Sequence, residues 1–298
     1  MVAAHFQDIS SASSEKIRDV IRSGRTPVLQ FGGPPAPAQL KRADDFCREF
    51  GVELQIRFFG QGWTEFDTSI LRHLPHVANL SIDTLRSISD FAPVAELPGL
   101  TRLRFGVYDH PDGRFLEKLF LPRFTHLTLA ENKRRNFDLA PLGAATALEH
   151  LFVQGHCRGI EAINKLPRLS DVSLSGFPKR HDLAFLNDLG ALRSLFLILG
   201  SRRSIPEFAH NELRALRIVW VRQLEELGRL HRFRKLEDLS IEDQLRLTIL
   251  DLRGLNLRRL SITNCKNLAQ IVGLDGQPEL GHFHACGTKL PAAIFANR

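Results

Sequence analysis

Three residues capable of acid–base or metal chemistry stand at matched places in the chain. His126, His150 and Asp171 each precede a pair of apolar residues, respectively Leu127/Leu129, Leu151/Val153 and Val172/Leu174. Two imidazoles beside a carboxylate supply a base near neutral pH and a partial ligand set for a zinc-like ion. The ligand count is incomplete, and no nucleophile accompanies it. A second group, His282, His284 and Cys286, alternates along one short stretch, so that on a strand all three project from one face. It is the weak metal candidate of the chain, again without a fourth ligand. Val107 to Gly113, with Tyr108 and His110, is the longest polar insertion after such a pair, and loops of this kind often contribute to binding. No phosphate-binding G-x-x-x-x-G-K, no G-x-S-x-G, no H-E-x-x-H and no dinucleotide glycine fingerprint is present. The expectation is a chain with no catalytic residues, no metal and no cofactor.

A repeat is what positions these side chains. Pairs of apolar residues one position apart recur at Leu29/Phe31, Leu54/Ile56, Leu80/Ile82, Leu103/Phe105, Leu127/Leu129, Leu151/Val153, Val172/Leu174, Leu195/Leu197, Leu216/Ile218, Leu239/Ile241, Leu260/Ile262 and, weakly, Phe283/Ala285. The steps between them run from 21 to 26 residues, and from Leu151 onward they alternate between 21 and 23. In a strand each pair faces inward while its neighbours face out. A fixed period of this size means stacked small units, none able to bury its apolar face alone. Binding is the default activity of such a stack.

Further leucine-like residues precede most pairs at three-residue steps, as in Leu97-x-x-Leu100-x-x-Leu103-x-Phe105 and Leu166-x-x-Leu169-x-x-Val172-x-Leu174. Over roughly residues 52 to 290 this resembles the leucine-rich repeat family, in short irregular repeats of bacterial type. The resemblance implies an α/β solenoid: a horseshoe with a parallel concave sheet of about 11–12 strands, a short 3₁₀ or irregular convex side and a helical N-terminal cap. The family usually carries Asn or Cys three residues after the second strand leucine. Only Asn132 and Cys265 do so here; elsewhere the position holds Phe59, Tyr108, His156, Phe177, Gly200, Val221 or Gln244.

The ends need covers. Residues 1–51 are expected to form the N-terminal cap, 52–290 the repeats and 291–298 a C-terminal cap or tail, all as one continuous domain. Ser13 or Ser14 can cap a helix with Ile17, Val20 and Ile21 on one face. Thr26 to Phe31 reads as a strand, and a second helix from Pro37 turns Leu40, Ala43, Phe46, Cys47 and Phe50 inward until Gly51 stops it. Leu290, Ile294 and Phe295 are expected over the last strand.

On the open face, the residue between the pair members runs Gln30, Gln55, Ser81, Arg104, Thr128, Phe152, Ser173, Phe196, Arg217, Ser240, Ser261, His284. The next outward position includes Arg57, Asp83, Ile198, Val219 and Glu242. Phe152, Phe196, Ile198 and Val219 therefore gather near the centre, with Arg104 and Arg217 at the edges, in the manner of a protein-binding hot spot. With His126, His150, Asp171 and Tyr108 they form the expected partner-binding set.

The formal charge of +7 raises a nucleic-acid hypothesis, which its distribution opposes. Across the three outward columns Arg57, Arg102, Arg104, Arg217 and Arg259 are matched by Glu53, Asp83, Asp171, Asp238 and Glu242. A groove for phosphates should be one-signed. The excess lies in turns such as Lys133–Arg135, Lys179–Arg180, Arg202–Arg203 and the run Arg229, Arg232, Arg234, Lys235. No uninterrupted apolar run of about 18 residues marks a membrane span. Without a secretory signal, the four scattered cysteines fit a cytoplasmic, reduced protein. The expected function is a monomeric, non-catalytic module that binds another protein on its concave sheet. An inhibitor or immunity protein that neutralises a toxin or enzyme is the alternative. An effector or metal-dependent enzyme using the histidines ranks last.

Overall fold

The computed structural model describes residues 2–60, 62–205, 208–210, 212–228 and 230–295. It forms two compact units, Met1–Leu148 and Glu149–Arg298. The first contains, in chain order, β1 (Ala3–Phe6), α1 (Ser14–Arg22), β2 (Thr26–Phe31), α2 (Pro37–Phe50), β3 (Gln55–Phe59), β4 (Asn79–Leu85), α3 (Ala92–Ala95), β5 (Arg102–Val107) and β6 (His126–Leu129). Each of its strands pairs in parallel with the next. The helices form where expected. Ser13 accepts the Lys16 amide at the start of α1, and Ile17 is buried. Pro37 opens α2, which Gly51 ends at a φ of 54° that an L side chain rarely adopts.

Two features of this unit depart from expectation. The first strand, Ala-Ala-His-Phe, carries no leucine pair, yet it lies beside β2 with Phe6 opposite Leu29. The register at β3 also differs by two residues from the pairing read from sequence. Leu29, Ile56 and Leu80 are laddered together, as are Phe31, Phe58 and Ile82, so the β3 pair is Ile56/Phe58 in place of Leu54/Ile56. Leu54, Ile56 and Phe58 are all fully buried, so alternation alone leaves two registers open. The 3₁₀ turn Gly51–Glu53 settles the choice by taking Leu54 as its C-cap. Arg57 thus stands between the pair members and Phe59 takes the next outward place. Gln55 drops to the position before the pair.

The second unit contains β7 (His150–Gln154), β8 (Asp171–Ser175), β9 (Ser194–Ile198), β10 (Ala215–Val219), β11 (Asp238–Glu242), β12 (Ile249–Asp251), β13 (Arg259–Thr263), β14 (Gln270–Val272) and β15 (His282–Cys286). Seven of these form one parallel ladder, while β12 and β14 pair as a small second sheet. The main register never slips: Leu151, Val172, Leu195, Leu216, Leu239, Leu260 and Phe283 are partners in succession. With β1 included, the ladder strands among the described residues number thirteen. Short 3₁₀ turns such as Ala140–Ala144, Ile160–Lys165 and Ala184–Leu186 make the return connections, since so short a repeat has no room for a helix. Parallel strands with inward leucines and 3₁₀ returns are the leucine-rich repeat fold.

The paired residues from Leu151 to Ile262 are buried in every repeat, whereas Phe283 and Ala285 are half-exposed. Leu290 and Ile294 are also only partly covered, and the Phe295 side chain and residues 296–298 lie outside the described residues, as does Arg229. Among the described residues no helix is long and apolar enough to cross a membrane.

Candidate functional site

The second unit gathers most of the expected binding residues. Phe152, Ser173, Phe196, Arg217, Ser240, Ser261 and His284 follow one another across its sheet, one per strand. Beside them run Gln154, Ser175, Ile198, Val219 and Glu242. Phe196, Ile198 and Val219 are immediate neighbours on β9 and β10, and all are half-buried. Phe152 is also half-buried but stands two strands away, beyond Ser173. Arg217 is exposed; its guanidinium sits 4.7 Å from the Phe196 ring centroid and 3.2 Å from Glu242. Arg104, expected at the edge of this cluster, belongs to the first unit, where it reaches Asp83 at 3.8 Å.

Of the three polar residues, His150 and Asp171 meet: Nδ1 lies 3.3 Å from Oδ2. The same carboxylate accepts the Ser170 hydroxyl at 2.5 Å. His126 is on β6 of the first unit, its Nδ1 3.0 Å from Thr125 Oγ1. His282, His284 and Cys286 do share one exposed face of β15. Among the described residues, however, no three His, Cys, Asp or Glu side chains are arranged to hold a metal ion.

The interior place that residue spacing gives Tyr108 is filled by His110. A register shift between Asp83 and Leu85 lets Val107 pair with Leu85, which carries Tyr108 outward to 56% exposure. His110 instead fills the buried place, its ring 5.0 Å from Phe105, 5.4 Å from Phe115 and 6.1 Å from both Phe91 and Phe137. Neither ring nitrogen has a hydrogen-bond partner among the described residues. Burial pushes the imidazole pKa down to about 4, so the ring is neutral. In the next repeat Asn132 donates to the His110 carbonyl at 2.9 Å, and His156, Phe177, Val221, Gln244 and Cys265 are buried at the corresponding places. The irregular residues therefore occupy the same interior position as the family's Asn or Cys.

One column escapes a reading confined to strands. Just beyond each of the seven ladder strands of the second unit, one residue has positive φ: Gly155, Gly176, Leu199 (53°), Trp220 (49°), Asp243, Asn264 and Gly287. The cause is the ladder itself, because each of these residues except Gly287 donates its amide to the next strand, as Leu199 does to the Val219 carbonyl and Trp220 to that of Glu242. Glycine, Asn and Asp adopt this left-handed conformation readily; other L residues lose roughly 1–2 kcal/mol. Leu199 and Trp220 are the exceptions, on adjacent strands, and they remain 41% and 45% exposed. The signal was present in sequence as Gly, Gly, Leu, Trp, Asp, Asn, Gly at one fixed place in the repeat. These two residues extend the Phe196–Ile198–Val219 surface to its strand-end rim, and Arg222 lies 5.5 Å over the Trp220 ring.

No protein-family model and no curated relative matches the chain. Among solved structures, similarity is found to Toll of Drosophila, in its complex with Spätzle, at 14% identity and TM-score 0.47 over 99% of this chain and 48% of that one. The chain thus spans about half the length of Toll. An internalin (inlF) of Listeria monocytogenes matches at 15% identity and TM-score 0.40, with 84% and 80% covered. The leucine-rich repeat domain of the type III effector XopL matches at 17% and 0.36, with 86% and 79% covered.

Proposed function

We propose that the chain is a non-catalytic module that binds another protein through the sheet face of its second unit. Phe196, Ile198 and Val219 form the centre, Leu199 and Trp220 the rim, and Arg217 and Arg222 the polar surround. The observation that carries this reading is the pair Leu199 and Trp220. Large apolar residues held in a costly backbone conformation and left in water do not serve the fold, which uses Gly, Asp or Asn at the same place in every other repeat of the unit. Exposed Trp and Arg grouped over half-buried Phe, Ile and Val are residue types that dominate protein interfaces. A partner that is itself a toxin or enzyme would use the same surface, and loss of its activity on binding would identify that case.

The test is affinity capture from the native host with the intact chain, followed by titration of the purified partner. The double variant Phe196→Ala, Trp220→Ala should remain folded, its circular-dichroism melting shifted by only a few degrees, and lose partner binding. Undiminished binding by the folded double variant would remove this face as the site.

A further inference from the structure

The charges next to Leu199 and Trp220 restrict what such a partner presents. The loops leaving β8, β9 and β10 line an open cleft of about 450 Å³ with Lys179, Arg180, Arg202 and Arg203, Asp182 being the one carboxylate among its described lining residues. That carboxylate is engaged, accepting the Ala184 amide at 3.0 Å. Arg202 is almost fully buried and donates to the His181 carbonyl at 2.7 Å, which fixes its guanidinium in the wall. Among the described residues the ion-pair partner of Arg203 is Glu225, at 3.9 Å. Lys179 and Arg180 are exposed and have no ion-pair partner among the described residues. Lys179 and Arg180, with Arg203 only loosely held by Glu225, gather around one occupied carboxylate and concentrate positive potential there. The cleft wall resumes at Ser201, two residues after Leu199, and includes Gln223, three residues after Trp220. The apolar rim and the cationic recess are therefore consecutive along the same loops.

We infer that this rim recognises an acidic segment of the partner: an aliphatic or aromatic side chain set against Leu199, Trp220 and Ile198, followed by Asp or Glu carboxylates seated among Lys179, Arg180 and Arg203. The inference rests on the docking reading above and specifies the chemistry of its partner. Guanidinium groups suit carboxylates through paired, charge-assisted hydrogen bonds. Nucleic acid fits less well. Ile198, Leu199 and Val219 offer no plane for base stacking, and Arg222 already covers one face of Trp220. On the adjoining sheet Arg217 is paired with Glu242 and Arg259 with Asp238, so no one-signed track continues from the cleft.

The chain has two tryptophans, Trp63 and Trp220, and Trp63 is buried. A Trp63→Phe variant makes Trp220 emission a local reporter. Intact chain is used to select from a random-peptide display library, and the enriched peptides are synthesised and titrated against that variant. The expected result is enrichment of apolar residues followed by Asp or Glu, a blue shift of Trp220 emission, and affinity that falls with added salt. Lys179→Glu with Arg180→Glu, both at exposed positions, should weaken binding by roughly tenfold or more. Enrichment without acidic residues, no enrichment, indifference to the charge reversal, or displacement by a single-stranded RNA oligonucleotide would each overturn the inference. Apolar peptides that ignore the charge reversal but are lost with Phe196→Ala would leave the docking face standing without its acidic preference. Acidic peptides retained in full by Phe196→Ala with Val219→Ala would confine the site to the rim and remove the sheet-face reading.

Discussion

The Arg217 guanidinium lies over the Phe196 ring of the neighbouring strand, 4.7 Å from its centroid, so an outward phenylalanine is shielded by an outward cation. Such a contact contributes about 0.5–1 kcal/mol when exposed. Phe196→Ala should therefore lower stability by roughly 1 kcal/mol or less. Leu195→Ala, one residue earlier and fully buried, should cost about 2–5 kcal/mol. Urea unfolding of the two variants checks this. Equal losses would mean that Phe196 belongs to the core, and the docking surface would lose its centre.

Leu199 and Trp220 give a prediction of opposite sign. Replacing each by Asn, which tolerates positive φ and occupies the same place as Asn264, should relieve roughly 1 kcal/mol per site, less the small apolar area lost. For a chain of this size that is a rise in melting temperature of about 2–4 °C per kcal/mol. Partner affinity should fall in the same variants. A residue that weakens the fold and strengthens binding is a mark of function, so variants both less stable and still binding would sink the assignment.

How much of this was legible beforehand differs from feature to feature. The inward pairs from Leu80 to Ile262 were readable because alternation and period agree, and a slip by one residue would expose every leucine. The β3 register was not, because three alternating apolar residues satisfy the same pattern at two settings and a turn made the choice. Strand β1 has no sequence signature of its own and exists because β2 offers it an edge. The interior place goes to His110 and not to Tyr108 for a related reason: a backbone shift at Asp83–Leu85 moves that position two residues along, and no local residue type announces it. The left-handed column was legible in principle, since Gly, Asp and Asn recur there, but it lies one residue outside the strand.

In the observed register Arg57 stands opposite Ser81 and reaches diagonally to Asp83, which it grips with Nε at 3.0 Å and Nη2 at 2.7 Å. Ser81 donates to the same carboxylate at 2.7 Å. Asp83 is nearly buried, so Arg57→Ala leaves its carboxylate with the Ser81 hydroxyl, a long contact from Thr84 Oγ1 at 3.5 Å and the more distant Arg104. Because Arg57 keeps some contact with solvent, the cost should be about 1–3 kcal/mol, below that of a fully buried pair. Adding Asp83→Ala should recover part of it. A double variant as unstable as the sum of the singles would show the two residues uncoupled.

His110 makes stability depend on pH. Its folded pKa of about 4 lies below the ordinary value of 6.5, so as pH falls the unfolded chain takes up the proton first. The contribution is constant above pH 6.5 and is lost progressively between about 6.5 and 4, by up to roughly 3 kcal/mol. His210, also lowered by burial, acts in the same direction, so the His110 share must be read as a difference between proteins. His110→Phe suits the surrounding Phe91, Phe105, Phe115 and Phe137 and removes two ring nitrogens that have no partner. Its stabilising effect should grow as the pH is lowered from 7 to 5, measured by urea unfolding at each pH. Parallel stability curves for the two proteins would show that the His110 ring is protonated, or hydrated, within its aromatic enclosure.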